Sequence, residues 1–287
     1  MENIVWYPGH IAKARREIKE HLKDVDIVIE IIDARCPISS INFLSEEIKN
    51  KKRLTIVNKI DLADEEEIRK FDKKVVSKEI NDFDGEILFL NSKNNNIKKL
   101  VDKKIDILAK DIYEKNKNKG IEKTILKAMV VGMPNVGKST FINSYIKKKV
   151  NKVENTPGVT KSLKWTKISD KLLLLDTPGV TVKKFETSDE GMNLALVGSI
   201  NDDIVEKVDL AYEFIKKVYK KYSKLFIERF KLTCIDENEE AINVMNMIAE
   251  KNHFYKKNGD IDYEKTANLI INDFRKGNIG RISLESL

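Results

Sequence analysis

The chain has 287 residues, of which 41% are hydrophobic and 34% charged, and its formal net charge is +7. This length predicts two domains, since a single domain typically takes roughly 100 to 200 residues. No segment approaches the ~18 to 20 consecutive apolar residues of a membrane helix, and the N-terminus has no signal-peptide pattern. We therefore expect a cytoplasmic protein with no membrane partner.

The basic excess is unevenly distributed along the chain. Residues 182–287 contain 17 Lys and Arg but 19 Asp and Glu, so the excess belongs to residues 1–181. One basic cluster nevertheless lies in the acidic part, and it consists of Lys216, Lys217, Lys220, Lys221, Lys224, Arg229 and Lys231. This cluster fits either contact with phosphates or a solvated helix face.

Short apolar runs rich in β-branched residues predict β-strands at 25–32, 54–57, 87–90, 125–131, 163–168 and 172–175. Amphipathic helical segments alternate with them at 40–50, 64–80 and 96–113. This alternation predicts a mainly parallel sheet with helices on both faces. The last two strands are joined by only three residues, so we expect an antiparallel hairpin at one edge.

The second half of the chain has a different pattern. Residues 114–120 are polar and lack an apolar stripe, which predicts an exposed linker. After about residue 182, helical periodicity replaces the strand pattern, in segments 187–198, 203–219, 221–231, 237–251 and 262–275. We therefore expect an α/β domain over residues 1–181 and a small all-α domain over residues 182–287.

The segment Gly132–Ser139 has the spacing of a phosphate-binding loop and lies between a predicted strand and a helical segment that starts at Thr140. Backbone amides and the helix dipole of such a loop favour phosphate charge. We expect Lys138 to bridge the β- and γ-phosphates and Ser139 to bind Mg²⁺.

Two later segments suit the γ-phosphate side of the same nucleotide. Asp176 follows a predicted strand and can hold a magnesium-bound water, and the amide of Gly179 can reach the γ-phosphate. Between the phosphate loop and Asp176, the sequence at 155–160 places Thr160 where a hydroxyl could bind Mg²⁺. Thr156 is an alternative ligand, and a plain Pro-Gly turn is another interpretation of the segment.

The segment Asn58–Asp61 predicts specificity for guanine. The Asp61 carboxylate can accept from the ring nitrogen and the exocyclic amine of guanine, a donor pair that adenine lacks, while Lys59 covers the ring. The Ser92 amide, within Asn91–Lys93, is the predicted second base contact. Because ligands bind at the carboxyl ends of parallel strands, these segments predict one GTP site rather than an ATP site. The predicted nucleotide contacts are Asn58, Lys59, Asp61, Asn91, Ser92, Lys93, Pro134, Asn135, Val136, Gly137, Lys138, Ser139, Thr140, Thr160 and Gly179.

The guanine segment comes before the phosphate loop in this chain, whereas the common order in GTP-binding domains is the reverse. This order predicts a circularly permuted GTPase domain whose sheet is intact. The ancestral ends would have been joined at the linker, residues 114–120, since domain ends usually lie close together at the surface.

This order, together with Trp6–Ala14, Asp33–Pro37 and Phe274–Arg281, resembles the ribosome-biogenesis GTPase A family (YlqF type). The resemblance covers nearly the whole chain. It implies binding of GTP or GDP with Mg²⁺, a helical RNA-binding C-terminal domain, and a partner in the precursor of the large ribosomal subunit and its rRNA. It also implies that the ribosomal particle stimulates hydrolysis, and we expect a monomer off the ribosome.

The residue after Gly179 is Val180, where many GTPases have the glutamine that orients the attacking water. We therefore expect slow intrinsic hydrolysis, with Lys138 and His10 as candidate catalytic residues. His10 lies in the segment that resembles the family's catalytic loop, although it could instead pack against its neighbours or contact RNA. By the same resemblance, Asn135 is a candidate K⁺ ligand, or else a loop-stabilising amide.

Two other functions remain open at this point. The chain could be a permuted GTPase with a non-ribosomal partner, or a nucleotide-gated RNA-binding scaffold for which hydrolysis is incidental.

Overall fold

The computed structural model describes residues 18–41, 50–80, 85–94, 96–146, 164–177, 187–201, 205–233 and 236–286, together with Arg16, Ile48 and Phe83. Within these residues one six-stranded sheet has the order β3-β2-β1-β4-β6-β5. The strands are β1 (Ile27–Asp33), β2 (Lys52–Asn58), β3 (Glu86–Phe89), β4 (Leu126–Gly132), β5 (Lys164–Ser169) and β6 (Leu172–Asp176). All neighbours are parallel except β5 and β6, which form the predicted antiparallel edge.

The helices in the described parts of the chain are α1 (Glu65–Val76), α2 (Ile97–Leu108), α3 (Lys110–Asn118), α4 (Lys138–Ile146), α5 (Ser188–Leu196), α6 (Lys207–Phe230), α7 (Ala241–Lys251) and α8 (Tyr263–Lys276). Strands and helices are interspersed up to β6, and only helices follow it. The structure is therefore a circularly permuted P-loop GTPase fold followed by a small helical region. No helix within the described ranges is long and apolar enough to cross a bilayer.

The apolar run in β1 reflects burial on both faces of the sheet, because successive side chains of a strand point in opposite directions. Ile29 and Ile31 pack in the core that contains α2 and α4 side chains, and Val28 packs with Ile18 on the opposite face. Every residue of β1 is buried. Such a strand must lie in the centre of the sheet, as it does here.

The predicted linker at 114–120 is wrong for most of its length, since α3 continues as a helix to Asn118. The Tyr113 amide donates to the Ala109 carbonyl, so α3 starts on the last turn of α2 and avoids the cost of separate helix nucleation. The helix buries none of its residues, which explains why it has no apolar stripe.

The two helical segments predicted at 203–219 and 221–231 are both present in α6. Non-helical dihedral angles at Tyr222 mark a kink between them, so one segment follows the other without a loop. Phe214 and Phe226 continue the apolar face across the kink and pack in the same core as Phe274 of α8. Packing of this face holds both segments against one core.

The sheet brings the carboxyl ends of four parallel strands to one edge. Asp33 at the end of β1 pairs in register with Asn58 at the end of β2. Gly132 at the end of β4 pairs with Ile31, and Asp176 at the end of β6 lies opposite Val130 of β4. The segments that the sequence predicted to share one ligand therefore leave the sheet side by side.

Candidate nucleotide-binding site

Asn58 connects three of the predicted nucleotide-binding segments. Its Nδ2 donates to the Val136 carbonyl of the phosphate loop at 2.8 Å, and its Oδ1 accepts from the Ser92 amide at 3.0 Å. The side chain is buried, with 2% exposure. Asn58 thus joins the phosphate loop to the predicted base-binding loops and sets the distance between them.

Lys59 lies between the guanine segment and the phosphate loop. Its Nζ donates to the Asn135 carbonyl at 2.5 Å and to Asp33 Oδ2 at 2.8 Å. Burial lowers the pKa of Lys59, as does the neighbouring Arg35 guanidinium, while Asp33 raises it. Because two hydrogen bonds hold the ammonium group, the aliphatic part of Lys59 is placed where it can cover a base.

Asp33 and Arg35 form a buried bidentate ion pair that the sequence showed only as part of a family resemblance. Arg35 Nε and Nη2 donate to the two carboxylate oxygens at 2.9 and 2.8 Å. Burial alone would raise the pKa of Asp33, but the charges and hydrogen bonds of Arg35 and Lys59 hold it well below its usual range. The Arg35 guanidinium also lies over the Phe274 ring, 5.0 Å from its centroid.

The phosphate loop needs glycine at two positions because neighbouring atoms lie close to its backbone there. Gly137 has φ +101°, and a Cβ there would lie 2.3 Å from Asn58 Nδ2. Gly132 has φ +153°, and a Cβ there would lie 2.4 Å from the Ile31 carbonyl oxygen. Only glycine tolerates both the dihedral angles and the contacts.

Lys138 begins α4 and turns back over its own loop. Its Nζ donates to the carbonyls of Gly132 and Met133 at 2.9 and 2.7 Å. Burial lowers the pKa of Lys138 to about 8, assisted by the nearby Lys59 and opposed by Asp176. A buried cation at a helix N-terminus favours an anion, which is the chemistry of a phosphate site.

Ser139 and Asp176 supply the oxygen ligands that Mg²⁺ prefers, a hydroxyl and a carboxylate. Burial raises the pKa of Asp176 to about 6, although the charge of Lys138 lowers it. A divalent cation beside this carboxylate would favour its charged form. Next to it, Thr177 Oγ1 donates to the Val130 carbonyl at 2.7 Å and so ties the end of β6 to β4. The residues present therefore fit a magnesium ion.

Other predicted residues take supporting positions. Asn91 Oδ1 accepts from the Lys93 amide at 2.9 Å and stabilises the turn after β3. Thr140 follows Ser139 in the first turn of α4. The Pro134 carbonyl accepts from Ser199 Oγ at 2.7 Å. His10, Thr156, Thr160, Gly179 and Val180 lie outside the described residues.

The helical region contributes to this site in a way that sequence reasoning missed. Asn135 Nδ2 donates to the Gly198 carbonyl at 2.6 Å, beside the Ser199 contact to the phosphate loop. Arg275 of α8 donates to the carbonyls of Ala195 and Leu196 and so fixes the turn that carries both contacts. In the sequence, the only indication of these contacts is the family resemblance of the segment Phe274–Arg281.

Comparisons with known proteins agree with this geometry. The family described as "50S ribosome-binding GTPase" matches residues 127–252. A Bacillus licheniformis protein named "Ribosome biogenesis GTPase A" is 39% identical over 98% of both chains, and a Bacillus cereus protein of the same name is 36% identical over 99% of this chain and 94% of its own. The mouse protein "Mitochondrial ribosome-associated GTPase 1" is 31% identical over 98% of this chain and 89% of its own.

Among solved structures, GNP-bound YlqF from T. maritima matches with a TM-score of 0.65 and 23% identity over 95% of this chain and 97% of its own. That structure supports the fold, and the sequence relatives support the family. Since relatives above 30% identity extend over nearly the whole chain, the protein belongs to the ribosome biogenesis GTPase A family.

Proposed function

We propose that this GTPase acts on the precursor of the large ribosomal subunit and holds its rRNA while GTP is bound. The family establishes GTP hydrolysis and a role in ribosome assembly. The observation that carries the guanine-nucleotide part is the Asn58 bridge, since it joins the base-binding and phosphate-binding segments into one site. The name of the matching family, "50S ribosome-binding GTPase", supports the large subunit as the partner.

The basic cluster on α6 supports RNA contact only in part. Lys217 pairs with Asp189, Lys221 pairs with Glu67 and Asp64, and Arg229 pairs with Asp273, so these three side chains make contacts within the protein. Lys216, Lys220 and Lys224 are exposed, and Lys216 also pairs with Glu213 on the same helix. The four-residue spacing of Lys216 and Lys220 places them on one face of α6, and Lys224 follows beyond the kink at Tyr222. We assign rRNA contact to this face.

Co-sedimentation with large ribosomal subunits tests this proposal directly. We expect more protein to sediment with a non-hydrolysable GTP analogue than with GDP, and the double variant Lys220→Ala, Lys224→Ala to sediment less with either nucleotide. Lys256→Ala, Lys257→Ala is a matched control, because it removes two exposed lysines from the segment between α7 and α8 rather than from α6. Equal sedimentation of the two double variants would contradict the RNA assignment. No sedimentation of the wild type would favour a non-ribosomal partner.

For hydrolysis we propose that Lys138 and the first turn of α4 hold the β- and γ-phosphates, with Ser139, Asp176 and Thr160 around Mg²⁺. The magnesium ion, when bound, neutralises charge that develops on the phosphates. The Gly179 amide would contact the γ-phosphate. Intrinsic turnover is then slow because Val180 cannot orient water, and the particle stimulates it with His10 as the orienting group. His10→Ala should lose stimulated turnover and keep GTP affinity, and unchanged stimulated turnover would reject the role.

We propose a K⁺ site at Asn135 as a further feature of the phosphate loop. The side-chain amide nitrogen of Asn135 donates to the Gly198 carbonyl, which orients this side chain within the phosphate loop. Turnover in K⁺ and Na⁺ at matched ionic strength decides this, and equal rates would end the proposal.

We also propose that the GTPase domain ends near residue 181, that the helical domain follows from 182, and that the protein works in the cytoplasm as a monomer off the ribosome. Contacts of Gly198 and Ser199 with the phosphate loop support a coupling between nucleotide state and the helical domain. Small-angle scattering of the GTP-analogue and GDP forms should differ, and superimposable profiles would remove the coupling.

A further inference from the structure

Residues 281–285, here called the tail segment, lie along the loop that carries the guanine-contacting side chains. The Ile282 amide donates to the Leu62 carbonyl at 3.0 Å, and the Leu284 amide donates to the Arg35 carbonyl at 2.8 Å. The side chains of Ile282 and Leu284 are buried. The tail segment is therefore packed into the base-binding side of the molecule, although it is more than 200 residues away in sequence.

Arg281 makes direct contact with the main chain of the guanine loop. Its Nη2 donates to the Ile60 carbonyl at 3.2 Å, and its Nε lies 3.4 Å from the Asp61 carbonyl oxygen. Its Nη1 pairs with Glu65 in the first turn of α1. One planar guanidinium thus holds two consecutive carbonyls and the start of the following helix, which an ammonium could not do with the same geometry.

The rest of the tail segment holds Arg281 in place. Glu285 accepts from the amides of Ile38 and Ser39, both at 2.8 Å, and the Ser283 hydroxyl accepts from the Asp64 amide at 3.2 Å. Tyr222 of α6 donates to the Asp64 carboxylate at 2.8 Å. The contacts of Ser283 and Glu285 therefore fix the segment from which Arg281 projects.

The guanine loop needs such support because of its backbone conformation. Lys59 has φ 62°, a left-handed conformation that non-glycine residues rarely adopt and that persists only where neighbouring contacts enforce it. Asp33 holds Lys59 from the sheet side, through the Nζ contact at 2.8 Å. Arg281 holds the loop on its other side, at the two residues that follow Lys59.

We propose that Arg281 is a positioning residue for guanine recognition. Its guanidinium fixes the main chain of Ile60 and Asp61, so that the Asp61 carboxylate is already oriented when the base arrives. Less conformational freedom is then lost on binding, which strengthens affinity without a contact between Arg281 and the nucleotide. This inference rests on the proposed function of Asp61 as the residue that accepts from guanine.

A double-mutant cycle on GDP affinity tests the inference, with fluorescent GDP as the probe. Arg281→Ala should weaken GDP binding about tenfold, the scale of one hydrogen bond from a charged group. In the Asp61→Ala background the same substitution should add less than about twofold, because no carboxylate remains to be oriented. Arg69→Ala is the matched control, since both arginines are exposed and pair with Glu65, but Arg69 does so from one turn further along α1; it should change affinity less than about twofold.

The outcomes separate the inference from the function on which it rests. If Asp61→Ala binds GDP as the wild type does, the assignment of Asp61 to guanine is wrong. If Asp61→Ala binds weakly but Arg281→Ala binds normally, or if Arg281→Ala costs the same in both backgrounds, Arg281 does not act through Asp61. Thermal unfolding of each variant verifies folding, and Arg281→Lys repeats the cycle with the charge retained, where we expect an intermediate loss.

Discussion

Replacement of Asn58 with alanine should damage both the stability and the nucleotide affinity of this protein. The substitution removes two hydrogen bonds at a site with 2% exposure, and it leaves the Val136 carbonyl and the Ser92 amide without their partner. Each unpaired buried group costs about 1–3 kcal/mol, so the expected loss of unfolding free energy for the two groups is about 2–6 kcal/mol. That is a large part of the ~5–15 kcal/mol by which domains are stable.

Urea denaturation of the nucleotide-free protein measures this loss, and titration with fluorescent GDP measures the nucleotide affinity. We expect the affinity to fall at least about tenfold, because the base and phosphate loops lose their direct connection. Asn91→Ala is the matched control, since it removes an amide whose bond to the Lys93 backbone spans only two residues near the surface. The control should lose less than about 1 kcal/mol. If Asn58→Ala were as mild as Asn91→Ala, the bridging role would be refuted.

Three further predictions concern the same site. GDP affinity should fall by up to about tenfold per pH unit above pH 8, because free Lys138 has a pKa of about 8 and bound phosphates stabilise its charged form; a titration series in which Lys138→Met removes this slope would verify this, and a wild-type profile that stays flat above pH 8 would contradict it. Gly137→Ala should lose GDP binding, since its Cβ would meet Asn58, and calorimetry that finds normal affinity would be inconsistent with the loop geometry. Asp61→Asn should weaken GDP and strengthen xanthosine diphosphate, because an amide can donate to the 2-oxo group, and retained preference for GDP would exclude Asp61 as the base-reading group.

The local elements of this protein could be predicted because each depends on a few consecutive residues. A strand buried on both faces needs an unbroken apolar run, and β1 has one; a phosphate loop needs glycines at fixed offsets before a lysine and a serine, and Gly132–Ser139 has them. The prediction of a linker at 114–120 failed because the helix α3 has no apolar stripe to reveal it. The two segments of α6 were predicted correctly, on either side of the kink at Tyr222.

The sequence did not show which residues of the protein the functional side chains contact. Asn58 was predicted to contact the nucleotide, and the structure adds its hydrogen bonds to the phosphate loop and to Ser92. The basic cluster on α6 was considered as one surface, yet Lys217, Lys221 and Arg229 pair with acidic groups elsewhere in the chain. Sequence spacing shows that side chains share a helix, but it does not show which distant charges they meet.

The amino-acid sequence by itself determined the positions of the strands, the guanine and phosphate segments and the permuted arrangement, because these are encoded in short motifs and in their order. Only the tertiary structure decided how the two halves of the site are joined and braced. Arg281 meets Ile60, and Ser199 meets Pro134, across long stretches of intervening chain. Such contacts form because burial of apolar surface in the shared core offsets the entropy of closing these loops. This free-energy balance depends on the whole folded chain, so no single segment of the sequence predicts it.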